Sequence, residues 1–289
     1  MNSDNYIQKK IDNMCLSVDA FFSSAWIDYY GCNINMNGNI SLKIYLNVIN
    51  VLKRKIRLLD KMMALNIMGE ASVVLNEKKI INRFDIALRN RNNHVMQDFF
   101  KLLYSESDIF RDNCKEIEIL SKMKVSENKD LQFAALYYFG FTYEKTINAL
   151  KFHYVTRNID EQTNFINNKY YLLFMKNLKI TEFEILCCVV EECLNSCDGN
   201  LWMLAVDYFQ DQKKYKIYIE TNDMKVLDFI KMRISQDTSI KDSEKVQITE
   251  QMKKIVDWVS SNEKKFKGVA FCLDTQNNVS YNFYCKETN

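Results

Sequence analysis

The stretch Leu42-Lys43-Ile44-Tyr45-Leu46-Asn47 decides the fold, because apolar and polar residues alternate along it one by one. This alternation has the period of a β-strand, in which neighbouring side chains point to opposite faces. The aliphatic residues share one face, and a lysine, a tyrosine and an asparagine share the other. The same pattern returns at residues 150–154, 215–220 and 279–284, so the sequence predicts four strands of this kind.

Each of these strands is predicted to be the second half of a β-hairpin with a polar turn. The four hairpins span residues 26–47, 137–156, 203–220 and 269–285. In the first of them, Asn37-Gly38 is the strongest short signal for a tight turn. A fifth pair of strands, at 71–75 and 80–88, is a further candidate, although its second half equally fits the start of a helix.

The segments between the hairpins change to a helical period of apolar residues. They cover residues 48–65, 95–123, 164–194 and 224–259. Strands joined by a tight turn must be antiparallel, which excludes a parallel sheet of βαβ units. Two architectures remain: a closed barrel with its polar face inside, or an open sheet whose lysines and tyrosines face water.

Two features favour the closed barrel. Aromatic residues stay frequent on the polar face, where a merely solvated face would be richer in Thr, Lys and Glu. In addition, Gly31, Gly140 and Gly268 lie in or beside first strands, where glycine permits the bends that curve a sheet. We therefore predict one α+β domain over residues 1–289, in which helices surround a closed antiparallel barrel.

Composition excludes several classes of partner. Lys plus Arg number 39 and Asp plus Glu number 37, so no overall positive field attracts nucleic acid, and we interpret the basic run at 53–57 as a solvated helix face. No apolar run approaches the ~20 residues of a membrane helix, and residues 1–10 lack the apolar core of a secretion signal. We expect a cytoplasmic protein without membrane or nucleic-acid partners.

Nine cysteines without a secretion signal indicate reduced thiols. The cluster Cys187, Cys188, Cys193 and Cys197 is the only local metal candidate, but it lies on a helical pattern, and small buried core residues are the alternative. We assign no metal ligands. The sequence also lacks Gly-x-Gly-x-x-Gly, P-loop, His-Glu-x-x-His and Gly-x-Ser-x-Gly motifs, which disfavours the common nucleotide-binding, metallopeptidase and serine-hydrolase activities.

The Lys-x-Tyr strands at Lys43/Tyr45 and Lys216/Tyr218, together with residues 150–153, resemble aromatic prenyltransferases of the ABBA type. That family is built from repeated α-β-β-α units around a barrel of about ten strands, and the resemblance covers nearly the whole chain. Within the family, the sequence looks most like the branch that modifies cyanobactin-type ribosomal peptides. Five hairpins are expected there, so closure depends on the candidate pair within 71–88.

The resemblance implies roles for the polar face. A prenyl diphosphate would ionise to an allylic cation, with lysines holding the diphosphate and tyrosine rings shielding the cation from water. The implied diphosphate ligands are Lys43, Lys151, His153 and Lys216. The implied shield is Tyr45, Tyr218 and Tyr284. For His153, a satisfied core histidine is the alternative.

An acid on the first strand is typical of the family, and Asp28 occupies that place. We assign it the role of base or of positioning the acceptor, although a structural pair with Lys43 is equally compatible with its position. The implied acceptor pocket contains Trp26, Tyr30 and Asn282. The family more often has glutamate at the place of Asp28, so the shorter side chain has less reach.

The expected function is transfer of a dimethylallyl or geranyl group from its diphosphate to a side chain of a ribosomal or cyclic peptide. Prenylation of a small aromatic metabolite is an alternative, and so is a non-catalytic binding protein that keeps the repeat without the site. No adjacent pair of aspartates exists in the chain, which argues against the all-helical isoprenyl synthases. Mg²⁺ is expected only with the diphosphate, and the protein is expected to be a monomer.

Overall fold

Ten strands form one closed barrel in the computed structural model of the protein, which describes residues 4–19, 26–47, 56–76, 79–123, 132–133, 135–155, 168–261 and 264–287. The strands are β1 (Trp26–Asn35), β2 (Ile40–Asn47), β3 (Met68–Asn76), β4 (Lys79–Leu88), β5 (Leu136–Tyr143), β6 (Ile147–Val155), β7 (Asn200–Tyr208), β8 (Lys213–Glu220), β9 (Lys264–Asp274) and β10 (Val279–Glu287). Each strand pairs antiparallel with its neighbours in sequence, and β1 pairs with β10 to close the ring. The predicted barrel is confirmed, and the candidate pair within 71–88 forms β3 and β4.

Eight helices surround the barrel within the described ranges. They are α1 (Asp4–Asp19), α2 (Arg57–Ala64), α3 (Asn93–Glu106), α4 (Asp108–Ser121), α5 (Asn168–Asn177), α6 (Thr181–Ser196), α7 (Lys225–Gln236) and α8 (Asp242–Ser261). The sequence did not predict α1, and residues 48–55 of the helix predicted at 48–65 lie outside the described residues. None of the described helices is both long and apolar enough to cross a membrane.

Three of the predicted helical segments divide into two helices each. Ser107 shows the reason for the division between α3 and α4. Its backbone N–H donates the last hydrogen bond of α3 to the Leu103 carbonyl, and its Oγ accepts a 3.3 Å hydrogen bond from the Phe110 N–H at the start of α4. Serine is a preferred N-cap because its short side chain satisfies a backbone donor that the first helical turn leaves open. The chain therefore turns between two helices without a gap.

The hydrophobic core lies between the outer face of the barrel and the helices. The aliphatic residues of the alternating strands, such as Ile44 and Ile217, are fully buried there. Phe139 on β5 and Phe152 on β6 pack with ring centroids 5.3 Å apart, and Phe110 of α4 lies against Phe152 at 6.2 Å. Each such buried side chain contributes about 1.5–3 kcal/mol. The polar face of the same strands therefore turns into the barrel.

Candidate active site

The pairing of the strands places the predicted polar residues on the inner face. In an antiparallel pair, residues opposite one another point to the same side of the sheet. Lys151 lies opposite Asp207, and Lys216 lies opposite Cys272 on β9, which in turn lies opposite Ser280 on β10. These polar residues of β6 to β10 thus share the inner face of the barrel.

A cavity of about 190 Å³ opens at the end of the barrel opposite the hairpin turns. Six of the lining side chains are tyrosine or tryptophan, and the charged side chains of Asp28, Glu220, Lys267 and Lys286 stand at the rim. It is lined by Asp28, Tyr29, Tyr45, Ser72, Asp85, Tyr138, Lys151, His153, Trp202, Met203, Tyr218, Ile219, Glu220, Lys267, Gly268, Tyr284 and Lys286. Odd-numbered strands begin and even-numbered strands end at this mouth.

Two lysines meet one carboxylate at the wall of the lumen. Lys216 Nζ donates to Asp207 Oδ2, and Lys151 Nζ lies 4.0 Å from Asp207 Oδ1. Lys151 also donates to the Tyr218 hydroxyl at 3.1 Å. All four residues are buried. The cluster therefore holds two lysines against a single acid.

A second ion pair stands on the neighbouring wall. Arg83 and Asp85, two residues apart on β4, share one face and form a bidentate pair at 3.0–3.1 Å. Gly140 lies opposite Asp85 on β5, and a Cβ atom there would come within 2.2 Å of the Asp85 carboxylate. A residue larger than glycine would displace this carboxylate, so Gly140 makes room for the pair.

Basic side chains outnumber acids in the lumen, where Lys43, Arg83, Lys151 and Lys216 lie near Asp85 and Asp207. Burial, together with the charges of Lys216 and Arg83, lowers the pKa of Lys43 to about 7 and that of Lys151 well below its ordinary value. Burial alone would raise the pKa of Asp207, but Lys216, Lys151 and Arg83 outweigh it and hold that pKa far below the usual range. Among the described residues, Lys43 makes no ion pair.

Aromatic rings lie beside the basic side chains, of which Lys151 reaches the lining of the cavity. Tyr218 lies with its ring centroid 5.7 Å from that of Tyr284, which lies 6.2 Å from that of Tyr45. Trp202 packs edge-on against Tyr218 at 6.4 Å. Burial raises the pKa of the Tyr45 phenol to about 12 and those of Tyr218 and Tyr284 well above their ordinary value. These phenols remain neutral hydrogen-bonding groups.

Lys43, Lys151, His153, Lys216, Tyr45, Tyr218 and Tyr284 thus share the inner face, as the sequence predicted. Tyr30 does not, which corrects the expectation that it belongs to an acceptor pocket. It packs on Trp258 of α8 at 5.6 Å and donates a 2.6 Å hydrogen bond to Glu287. The cause is a β-bulge between Ile27 and Tyr29, which puts Tyr29 opposite Tyr45 on the inner face instead.

The other first-strand predictions have mixed outcomes. Trp26 begins β1 opposite Asn47, and its side chain is outside the described part of the structure. Asp28 sits at the bulge, about one third exposed at the rim, and pairs with Lys286 at 3.4 Å. The alternative pair with Lys43 is therefore wrong.

Asn282 faces the lumen but lies outside the lining of the cavity. Its carbonyl accepts a 2.7 Å bond from Asn33, and its amide donates to the Cys272 thiol. These bonds fix it in the inner wall, so its assignment to an acceptor pocket is corrected.

Sequence reasoning missed Arg83, Asp85, Asp207, Tyr138 and Trp202. Asp207 carried a usable signal, because it is a lone acid inside the apolar run of β7 and ends up buried. Arg83 and Asp85 lay in the segment that fitted a helix as well as a strand. The cysteines considered as metal ligands lie along α6 and at its C-terminus, and no cluster of three or more metal-ligating side chains occurs among the described residues.

No protein-family model and no curated protein sequence matches this chain. Among solved structures, the chain is similar to the crystal structure of NotF prenyltransferase, with a TM-score of 0.61 and 7% identity over 89% of this chain and 80% of that one. It is also similar to NotF in complex with brevianamide F and DMSPP, with a TM-score of 0.54 and 8% identity over 91% and 81%. The chain therefore has the fold of these ABBA-type barrels.

Proposed function

We propose that this chain is a prenyltransferase that moves an allylic prenyl group from a prenyl diphosphate to an aromatic acceptor inside the barrel. One observation carries the proposal: on the inner face of the barrel, four basic side chains and only two acids lie beside a group of tyrosine rings. Such an arrangement suits a substrate with an anionic head and a tail that becomes a cation.

The diphosphate is assigned to the lysines of the inner face. Lys43, Arg83, Lys151 and Lys216 are four cations, and the acids among them are Asp85 and Asp207. The lowered pKa values of Lys43 and Lys151 reduce this excess of charge in the free protein, and a bound diphosphate would draw protons onto these lysines. As the carbon–oxygen bond breaks, negative charge grows on the diphosphate, and fixed cations in a water-poor site stabilise that growth.

The tyrosine wall is assigned to the allylic cation. Tyr45, Tyr218 and Tyr284 present π faces within 5.7–6.2 Å of one another, close to the lysines. A ring face attracts a desolvated cation, and a packed wall keeps water from capturing it. The cation would then survive long enough to meet the acceptor.

The acceptor is assigned to the mouth, where Tyr138 and Trp202 add aromatic surface and Asp28, Glu220, Lys267 and Lys286 form the rim. The NotF complex holds DMSPP and brevianamide F, which supports a small aromatic acceptor for the shared fold. A peptide acceptor, as in the cyanobactin branch, remains a prediction from the sequence alone. Asp28 keeps its predicted role of positioning the acceptor.

Mg²⁺ stays a prediction tied to the diphosphate. In the inner face, the carboxylates Asp85 and Asp207 are occupied by Arg83 and Lys216, and they offer no free pair of oxygens. The described residues therefore do not fit a protein-held Mg²⁺, whose preferred ligands are oxygens in octahedral geometry. Any Mg²⁺ would arrive on the diphosphate oxygens, and transfer should persist in EDTA if the lysines suffice.

Turnover tests the proposal. The protein is incubated with dimethylallyl or geranyl diphosphate, with and without Mg²⁺, and with a panel of indoles, phenols and peptides that contain Tyr or Trp. We expect small aromatic acceptors to gain one prenyl group in place of one hydrogen, read by mass spectrometry. Prenylated peptides alone would instead favour the peptide branch. Diphosphate binding without any product would favour a non-catalytic binding protein, and neither product nor binding would overturn the proposal.

A further inference from the structure

His153 on β6 is a buried histidine whose two ring nitrogens have no hydrogen-bond partner among the described residues. Only 7% of the residue is exposed, and it lines the cavity. Buried polar groups in proteins are nearly always hydrogen-bonded, and an exception calls for an explanation such as a catalytic role. A satisfied core histidine, the alternative drawn from the sequence, does not describe this residue.

Charged and titratable groups face His153 from several strands. Lys151 lies two residues away on β6, Arg83 and Asp85 on β4, Tyr138 on β5, Asp207 on β7, and Lys216 and Tyr218 on β8. Burial, followed by the charges of Lys151 and Arg83, lowers the pKa of the imidazole well below its ordinary value, against the opposing charge of Asp207. The imidazole is therefore neutral at pH 7 and has a nitrogen lone pair to offer.

Aromatic rings enclose the imidazole on two sides. Its plane is nearly parallel to the Tyr218 ring at a centroid distance of 5.9 Å, and the Tyr138 ring stands edge-on at 5.8 Å. An aromatic acceptor that enters between the mouth and the tyrosine wall would lie beside this imidazole. The position suits proton transfer from a ring carbon better than contact with the diphosphate, because a neutral imidazole brings no full charge to an anion.

We propose that His153 is the base that removes the proton from the acceptor ring, an inference that rests on the proposed function. The carbon–oxygen bond of the prenyl diphosphate breaks, and its electron pair leaves with the diphosphate. A bond forms between the allylic carbon and a ring carbon of the acceptor. The carbon–hydrogen bond at that ring carbon then breaks, its electron pair restores aromaticity, and a nitrogen of His153 takes the proton. The imidazolium later passes this proton to water or to the departing diphosphate.

The two buried acids beside His153 are less available to take the proton. Lys216, Lys151 and Arg83 hold the pKa of Asp207 far below its usual range, and both oxygens of Asp85 already accept hydrogen bonds from Arg83. Asp28 pairs with Lys286 at the partly exposed rim. Bound diphosphate would also offset the charges of Lys151 and Arg83, so the imidazole becomes a stronger base when the donor substrate is present.

The first test separates the two half-reactions in His153→Gln, with exposed His94→Gln as the matched control. A general base contributes about 10²–10⁴-fold, so we expect transfer to the acceptor to fall at least 100-fold. Release of diphosphate should fall far less, and a ring-deuterated acceptor should now show a primary isotope effect. Transfer within threefold of wild type overturns the inference, and so does an equal fall in transfer and diphosphate release, which would make His153 a ligand of the diphosphate.

A second test needs no variant. The chain contains only two histidines, so nitrogen-15 labelling of histidine reports on two imidazole rings, one of them that of the exposed His94. In the presence of inorganic diphosphate at pH 7.5, we expect the His153 signal to be that of a neutral imidazole. A protonated imidazole in this complex overturns the inference, since a cation takes up no proton. If wild-type protein releases no diphosphate from any prenyl donor, the proposed function itself fails, and this inference fails with it.

Discussion

Strands β7 and β8 carry two clusters of lysine, tyrosine and carboxylate, one on each face of the barrel wall. On the outer face, Glu116 of α4 accepts from Tyr208 at 3.0 Å and pairs with Lys213 at 2.7 Å. On the inner face, Asp207 meets both Lys216 and Lys151. Both clusters contain lysine, tyrosine and carboxylate side chains. The outer cluster has one lysine for one acid, whereas the inner cluster has two lysines for one acid.

This difference distinguishes the outer cluster, which is a structural contact, from the inner cluster, which is a candidate binding site. The outer cluster is balanced and joins a helix to the barrel, so nothing further has to bind there. The inner cluster keeps cations buried without sufficient acids, which costs free energy in the folded protein. A bound anion would remove that cost. The following predictions test whether the two clusters differ in this way.

The largest expected effect is on stability and concerns the acids of the two clusters, Asp207 and Glu116. Asp207→Asn leaves two buried lysines uncompensated, and we expect the free energy of unfolding to fall by about 3–5 kcal/mol. The control Glu116→Gln loses partly exposed bonds and should cost only about 1–2 kcal/mol. Urea unfolding measures both. Inorganic diphosphate should restore stability to Asp207→Asn and not to Glu116→Gln, and equal losses without such rescue would contradict the contrast.

The second prediction concerns lysines. Lys43→Met keeps the apolar stem and removes a cation whose nearest charged neighbours include Lys216 and Arg83. We expect unchanged or higher stability but a 10–100-fold weaker affinity for prenyl diphosphate, since a charge-assisted bond contributes about 1.5–3 kcal/mol. Lys213→Met should lower the stability and leave the affinity for prenyl diphosphate unchanged. Calorimetric titration and urea unfolding of both variants measure this, and weaker binding in Lys213→Met would contradict it.

Proton uptake provides the third prediction. Because the pKa of Lys43 is lowered to about 7 from 10.5, the unfolded chain binds more protons at this residue than the folded chain across that interval. The contribution of Lys43 to the free energy of unfolding therefore rises with pH from about 7 to 10.5. Diphosphate binding at pH 8 should draw a proton onto this lysine.

Calorimetry in two buffers of different ionisation enthalpy measures the uptake. We expect Lys213→Met to keep it and Lys43→Met to reduce it. Identical heats in both buffers for the wild type would show that the lysine is already charged before the ligand binds.

The smallest expected effect distinguishes the contribution of the Tyr218 hydroxyl from that of the Tyr218 ring. Tyr218→Phe removes the 3.1 Å bond from Lys151 and should weaken diphosphate affinity about 3–10-fold, in line with one hydrogen bond of about 1 kcal/mol. Tyr218→Leu also removes the ring face, so more of the cation should be captured by water and appear as prenyl alcohol. Tyr215→Phe, on the outer face, is the control. Equal alcohol in the Phe and Leu variants would argue against cation shielding.

The regular parts of the barrel could be predicted from sequence because two-residue alternation is a local signal. The β3–β4 hairpin was ambiguous, since the pattern of apolar residues in 80–88 fits a strand or the start of a helix. Tyr30 was misplaced because the bulge at Asp28 inserts one residue, which exchanges the faces of all later residues in β1. A bulge depends on pairing with β2 and leaves no trace in composition.

The site residues that follow the alternation of a single strand could be predicted from sequence. Those whose role depends on residues of other strands could not. Lys43, Lys151 and Lys216 were found from their strands alone. The partners that define their charge, Asp207 and Arg83, come from other strands and were not found. Whether a buried lysine lacks an acid is a property of the closed ring, which only the three-dimensional arrangement reveals.

Closure between β1 and β10 bears on how the protein is made. The Tyr30 and Glu287 side chains that join across this seam are 257 residues apart in sequence. During synthesis, β1 leaves the ribosome long before its second neighbour exists, and the growing sheet has two open edges. The lysines of the inner face stay hydrated throughout that time. Their full desolvation therefore waits until β10 has been made and has paired with β1.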